Sequence, residues 1–71
     1  MATNVEAEMA GTVFRIEIEV GAAVELGDEL LVLESMKMEI PIEAPCGGRV
    51  LRLLVEEGQA VEEGDVLLVL D

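Results

Sequence analysis

Apolar and polar residues alternate along Val13-Phe14-Arg15-Ile16-Glu17-Ile18-Glu19, the period-two pattern of a strand with one buried face. Residues 50–56 are less regular but similarly aliphatic. Two apolar runs, at 29–34 and 66–71, read as strands that close each half of the chain. The glycines punctuate these segments. Gly21 and Gly58 end one strand, while Gly27-Asp28 and Gly64-Asp65 form tight turns into the closing runs. Such positions can take positive φ without steric cost in a residue that lacks Cβ. No stretch sustains the period of a helix, and residues 22–26 have room for at most a brief strand. The pattern predicts an all-β chain.

The pattern also occurs twice. Residues 5–34 align without gaps on residues 42–71 at an offset of 37, with sixteen of thirty positions identical. The shared positions include Gly11/Gly48, Val13/Val50, Arg15/Arg52, Asp28/Asp65 and the run Leu30-Leu31-Val32-Leu33 against Leu67-Leu68-Val69-Leu70. Two copies exclude a solenoid and favour one domain, residues 1–71, with pseudo-twofold symmetry. Four short strands per half predict two four-stranded sheets folded against each other as a flattened eight-stranded barrel. The strand that closes the first half runs through residues 35–38 into the strand 38–44 that opens the second. Lys37 therefore falls on a β-hairpin tip, and the same symmetry puts the chain termini away from it. Pro41 fits an edge strand and Pro45 a turn, since neither can donate to a central ladder.

Charge and composition narrow the chemistry. Sixteen acids against four bases give a net charge of −12, a field that repels nucleic acid. It either steers partners with positive surfaces or serves solubility alone. Glu56, Glu57, Glu62 and Glu63 flank turns and read as a solvated face. With no His and only Cys46, neither an intrachain disulfide nor a Ser-His or Cys-His pair can be built, and common zinc-site patterns are closed. No metal or catalytic site is expected, and the chain does not read as an enzyme. Cys46 aligns with Met9 across the repeat, which favours a small buried hydrophobe over a reactive thiol. Apolar runs fall far short of the roughly 20 residues that span a bilayer, and the start shows no signal-peptide pattern, so a reduced cytoplasm is expected.

Lys37 is the one lysine, set in Glu34-Ser35-Met36-Lys37-Met38-Glu39, while Arg15, Arg49 and Arg52 supply the other positive charges. A lone primary amine between two methionines is a candidate address for covalent modification; the alternative is an ordinary exposed turn lysine. The segment from Glu34 to Pro41, followed by Ala44-Pro45 and Gly47-Gly48, resembles the attachment segment of biotin carboxyl carrier proteins, within the biotinyl/lipoyl attachment domain family. The resemblance covers nearly the whole chain, including Gly-x-x-Val-x-x-Gly-Asp at 21–28 and again at 58–65.

The resemblance implies a barrel-sandwich hybrid with a modified lysine on an exposed hairpin. It makes Lys37 the site of covalent biotin attachment and Met36 and Met38 its flanking recognition residues, with Glu34, Ser35 and Glu39 as hairpin context. Ser35 stands where biotin carriers often have Ala, and the longer protruding loop of some bacterial acetyl-CoA carboxylase carriers has no counterpart between Val20 and Val24. The chain thus resembles the compact carriers, including small free-standing attachment proteins.

The resemblance further implies a monomeric domain modified by a biotin protein ligase through biotinyl-adenylate. Its biotin would move a carboxyl group between biotin carboxylase and carboxyltransferase sites, with the cofactor carrying the chemistry and the protein supplying position. A lysine amine in water is protonated at neutral pH and must lose that proton before acylation, so activation falls to the ligase. A lipoyl carrier of a 2-oxoacid dehydrogenase or glycine-cleavage-type system is the alternative. Lipoyl domains usually carry an acid where Met36 stands, which favours biotin. An unmodified barrel used as an interaction module is a third reading. Met36 and Met38 either pack on the barrel end or form part of the surface that ligase and carboxylase recognise.

Overall fold

The computed structural model describes residues 2–71 and contains eight strands. They are β1 (Thr3–Glu6), β2 (Gly11–Ile16), β3 (Ala23–Val24), β4 (Glu29–Ser35), β5 (Met38–Glu43), β6 (Gly48–Leu53), β7 (Ala60–Val61) and β8 (Val66–Leu70). They form two antiparallel four-stranded sheets, ordered β1-β8-β6-β3 and β5-β4-β2-β7. Each strand of one sheet has its repeat partner at the same place in the other.

The symmetry reaches single hydrogen bonds. Gly27 N–H donates to Ala44 O at 2.9 Å, and Gly64 N–H to Ala7 O at 2.9 Å. Gly21 N–H reaches Val50 O at 2.8 Å, matching Gly58 N–H to Val13 O at 2.7 Å. The Asp28 and Asp65 carboxylates accept from the backbone N–H of Glu25 and Glu62 at 2.9 and 2.8 Å. Each closes the turn ahead of its strand, the local capping for which short polar side chains are suited. Gly27 and Gly64 follow inside these turns, both at φ 90°.

β-Bulges are repeated as well. The ladders slip between Val13 and Arg15 and between Val50 and Arg52. They slip again between Glu29 and Leu31, matching the shift at Val66–Leu68 opposite Val5 and Glu6. A bulge sets two residues against one and breaks the alternation of faces. This is why adjacent Leu30 and Leu31, like Leu67 and Leu68, are all completely buried in one core. That core joins both sheets through Val5, Val13, Leu33, Ile42, Val50, Val61 and Leu70.

Two expectations need adjustment. The alternation over residues 13–19 read as one strand, but β2 ends at Ile16, and the bulge leaves Phe14 44% exposed. β6 likewise ends at Leu53, short of residue 56. The barrel is also not closed by strand pairing, since each sheet keeps two edge strands. The edge strands β3 and β7 are only two residues long; each pairs with one neighbour, β6 and β2 respectively, and flanking turn hydrogen bonds supplement that short pairing.

The body measures 33 × 17 × 17 Å. β4 runs outward to the β4–β5 hairpin at one end. Thr3 pairs with Leu70 at the other, placing the described ends of the chain away from the hairpin. The tight turn at Val20–Val24 lies at that far end too, because Gly21 bonds to Val50, whose partner is Leu70.

Candidate attachment hairpin

The β4–β5 ladder is the longest paired segment. It runs from Glu29↔Glu43 through Leu33↔Ile40 and Glu34↔Glu39 to Ser35↔Met38. Two residues remain to turn the chain, Met36 at φ 53° and Lys37 at φ 65°. Positive φ at both central positions is the type I′ geometry, whose twist matches that of the flanking strands. Asn-Gly usually supplies it. Met and Lys instead carry a Cβ into the left-handed region, at a cost of about 1–2 kcal/mol per residue.

The side chains there face solvent. Met36 is 92% exposed and Met38 63%, so neither packs on the end of the body. Lys37, Glu34 and Glu39 are exposed, while Ser35 is half-buried at the root of the turn. Among the described residues the ion pair found is Arg15 with Glu17 at 3.2 Å, so the amine of Lys37 has no such partner. Directly opposed Glu34 and Glu39 repel each other modestly across the stem. A flexible stem carrying one amine thus leaves a rigid hairpin with nothing folded over it, an arrangement that leaves room for a covalently attached group.

Other sequence-derived candidates lie away from this tip. Cys46 is half-buried against the core with Sγ 3.8 Å from Thr3 Oγ1, consistent with a packing role. Glu57 is exposed with the other turn acids, but its carboxylate accepts from Ile16 N–H at 2.9 Å and secures the end of β2. Arg49 caps Gly21 O at 2.8 Å. The Glu17 carboxyl, just past the end of β2, and the Glu29 carboxyl at the start of β4 are near enough to titrate as a pair, a proximity no local sequence pattern signals. Hydrogen bonding with Glu17, then lost hydration and the Glu17 charge, raise the Glu29 carboxyl above its ordinary range, while the same hydrogen bonding holds Glu17 below it.

With this geometry in view, residues 3–70 match the biotin/lipoyl attachment family described as "Biotin-requiring enzyme". The chain belongs to that family of biotinyl/lipoyl attachment domains. The Biotin/lipoyl attachment protein of Bacillus subtilis is 47% identical over 39 residues, covering 55% of this chain and 53% of that one. Biotinylated protein TB7.3 of Mycobacterium tuberculosis is 43% identical over 42 residues, 59% of each chain. The chain thus spans little more than half the length of these relatives.

Among solved structures, a single-chain, multi-domain long-chain acyl-CoA carboxylase superposes with a TM-score of 0.91 at 43% identity. The match takes in 96% of this chain and 7% of that one. The Kluyveromyces lactis urea carboxylase gives a TM-score of 0.94 at 32% identity, over all of this chain and 6% of the other. This fold therefore matches a small part of much larger carboxylases.

Proposed function

We propose that the protein is a biotin carboxyl carrier, with the cofactor joined by an amide to Nζ of Lys37. The observation that carries this reading is the two-residue tip itself. The chain's one lysine occupies a left-handed turn position, exposed and unpaired, between methionines that face solvent. Carboxylases among the structural matches and biotinylated proteins among the relatives support it.

In this reading a biotin protein ligase is the first partner. The Lys37 ammonium gives up a proton inside the ligase, its nitrogen forms a bond to the activated carboxyl carbon, and AMP leaves. Met36 and Met38 offer the adaptable apolar contact that ligase and carboxylase sites grip. Biotin, once bound, supplies the capacity to accept and release a carboxyl group at carboxylase and carboxyltransferase sites. The body contributes no group to that exchange. It holds the lysine stem at the end of a braced hairpin, in the cytoplasm where the partner enzymes work.

Intact mass tests the reading against its lipoyl alternative. The purified chain is incubated with ATP and a biotin ligase plus biotin, or a lipoate ligase plus lipoate. A biotinyl increment in the first reaction and none in the second is expected. The reverse result would place the protein among lipoyl carriers.

A further inference from the structure

The root of the hairpin meets β2 at a residue with no side chain. Gly11 lies beside Ser35, one residue ahead of the Thr12↔Glu34 pair. Its φ is not in the left-handed region, so backbone conformation does not call for glycine there. Space does. A Cβ on Gly11 would lie 2.8 Å from Glu34 O and 3.5 Å from Ser35 Cβ, the first distance well inside van der Waals contact. The obstructing atom is backbone, which cannot rotate away as a flexible side chain would.

Glu34 and Ser35 are the last two residues of β4 before the turn. Any shift forced on them moves the Glu34↔Glu39 and Ser35↔Met38 pairs and hence the tip. Gly11 also pairs with Val61 of β7, so it is held from the far side and cannot retreat freely. We propose that Gly11 is a positioning residue for the attachment lysine: the missing side chain lets β2 clamp the hairpin root and fixes where Lys37 stands relative to the body.

The repeat supplies an internal control. Gly48 is the symmetry mate of Gly11; a Cβ there would collide with Asp71 O at the opposite end of the molecule, and its φ of 159° adds a backbone burden that Gly11 does not carry. Both substitutions burden the fold, but only one lies under the tip.

This inference rests on Lys37 being the modified residue, and the experiment separates the two claims. Gly11→Ala, Gly48→Ala and the unaltered chain are each offered to biotin ligase, and kcat/KM for modification is measured beside the melting temperature. Gly11→Ala should lower kcat/KM about tenfold or more, as misplacement of a reacting group by an ångström can do. Gly48→Ala should stay within about twofold of the unaltered chain, even where the two variants melt alike. Equal rates for the two variants would overturn the positioning role, whereas an unaltered chain that takes no biotin would overturn the function beneath it.

Should Gly11→Ala fail to fold, amide exchange on the unaltered chain decides. A clamped root predicts protection at Ser35 and Met38 comparable to core strands; exchange at the rate of a frayed hairpin end overturns the proposal.

Discussion

Ser35 and Met38 face each other across the last rung of the β4–β5 ladder, with only Met36 and Lys37 between them, both at positive φ. That rung converts a run of ordinary residues into a rigid presentation of one amine. A longer loop would free the lysine backbone, and the partner enzymes would then have to order it on binding. The two-residue turn has already met that cost, partly as left-handed strain at residues with a Cβ.

The strain gives a first prediction. Met36→Asn replaces a 92%-exposed side chain with one that tolerates the left-handed region. It should stabilise the fold by about 0.5–1 kcal/mol, seen as a higher urea midpoint with an unchanged slope. A lower midpoint would mean that Met36 makes contacts its exposure does not show.

The repeated turns give a second. Asp28 and Asp65 accept equivalent backbone hydrogen bonds at 2.9 and 2.8 Å. Asp28→Ala and Asp65→Ala should each cost about 1–2 kcal/mol, and by similar amounts. Thermal melts of both variants check this. A large cost from one and none from the other would show that the symmetry is one of shape and not of energetics.

The Glu17–Glu29 pair makes stability depend on pH. Glu29, raised above the ordinary value of 4.5, contributes stability below that value and loses it as pH rises through its folded value. Glu17, lowered, contributes above the ordinary value and loses that contribution as pH falls through its own folded value. Above both folded values the two carboxylates are charged and repel. Glu29→Gln keeps a donor for Glu17 and removes the charge, so it should melt higher than the unaltered chain at neutral pH. The gain should shrink as pH falls into the range where Glu29 takes up its proton. A difference in melting temperature that stays constant with pH would contradict this.

Much of the fold is legible in the sequence because the repeat is. An offset of 37 with matched glycines marks the turns, and the short apolar runs mark the strands that those turns feed. The end of β2 is not legible. The alternation of Val13 through Glu19 continues past the last paired residue, because a bulge at Phe14 depends on the register of β4, a partner about twenty residues away. Lys37 stands out by its uniqueness, yet the turn that holds it does not, since Met-Lys carries none of the Asn-Gly signal of a type I′ hairpin. Gly11 and Gly48 were visible as identities, but their reason is the approach of a backbone carbonyl from another strand. The nearness of Glu17 to Glu29 is hidden for a similar reason: the segment leaving β2 meets the start of β4, and no local pattern links the two.

The most direct test of the account maps the modification to its residue. The unaltered chain and Lys37→Arg are incubated with biotin ligase, biotin and ATP, then examined by intact mass and by thermal melting. A single biotinyl increment is expected on the unaltered chain and none on Lys37→Arg, with the two melting together because the exposed side chain makes no ion pair. An unaltered chain that takes up no biotin, or a Lys37→Arg variant that still does, would contradict it.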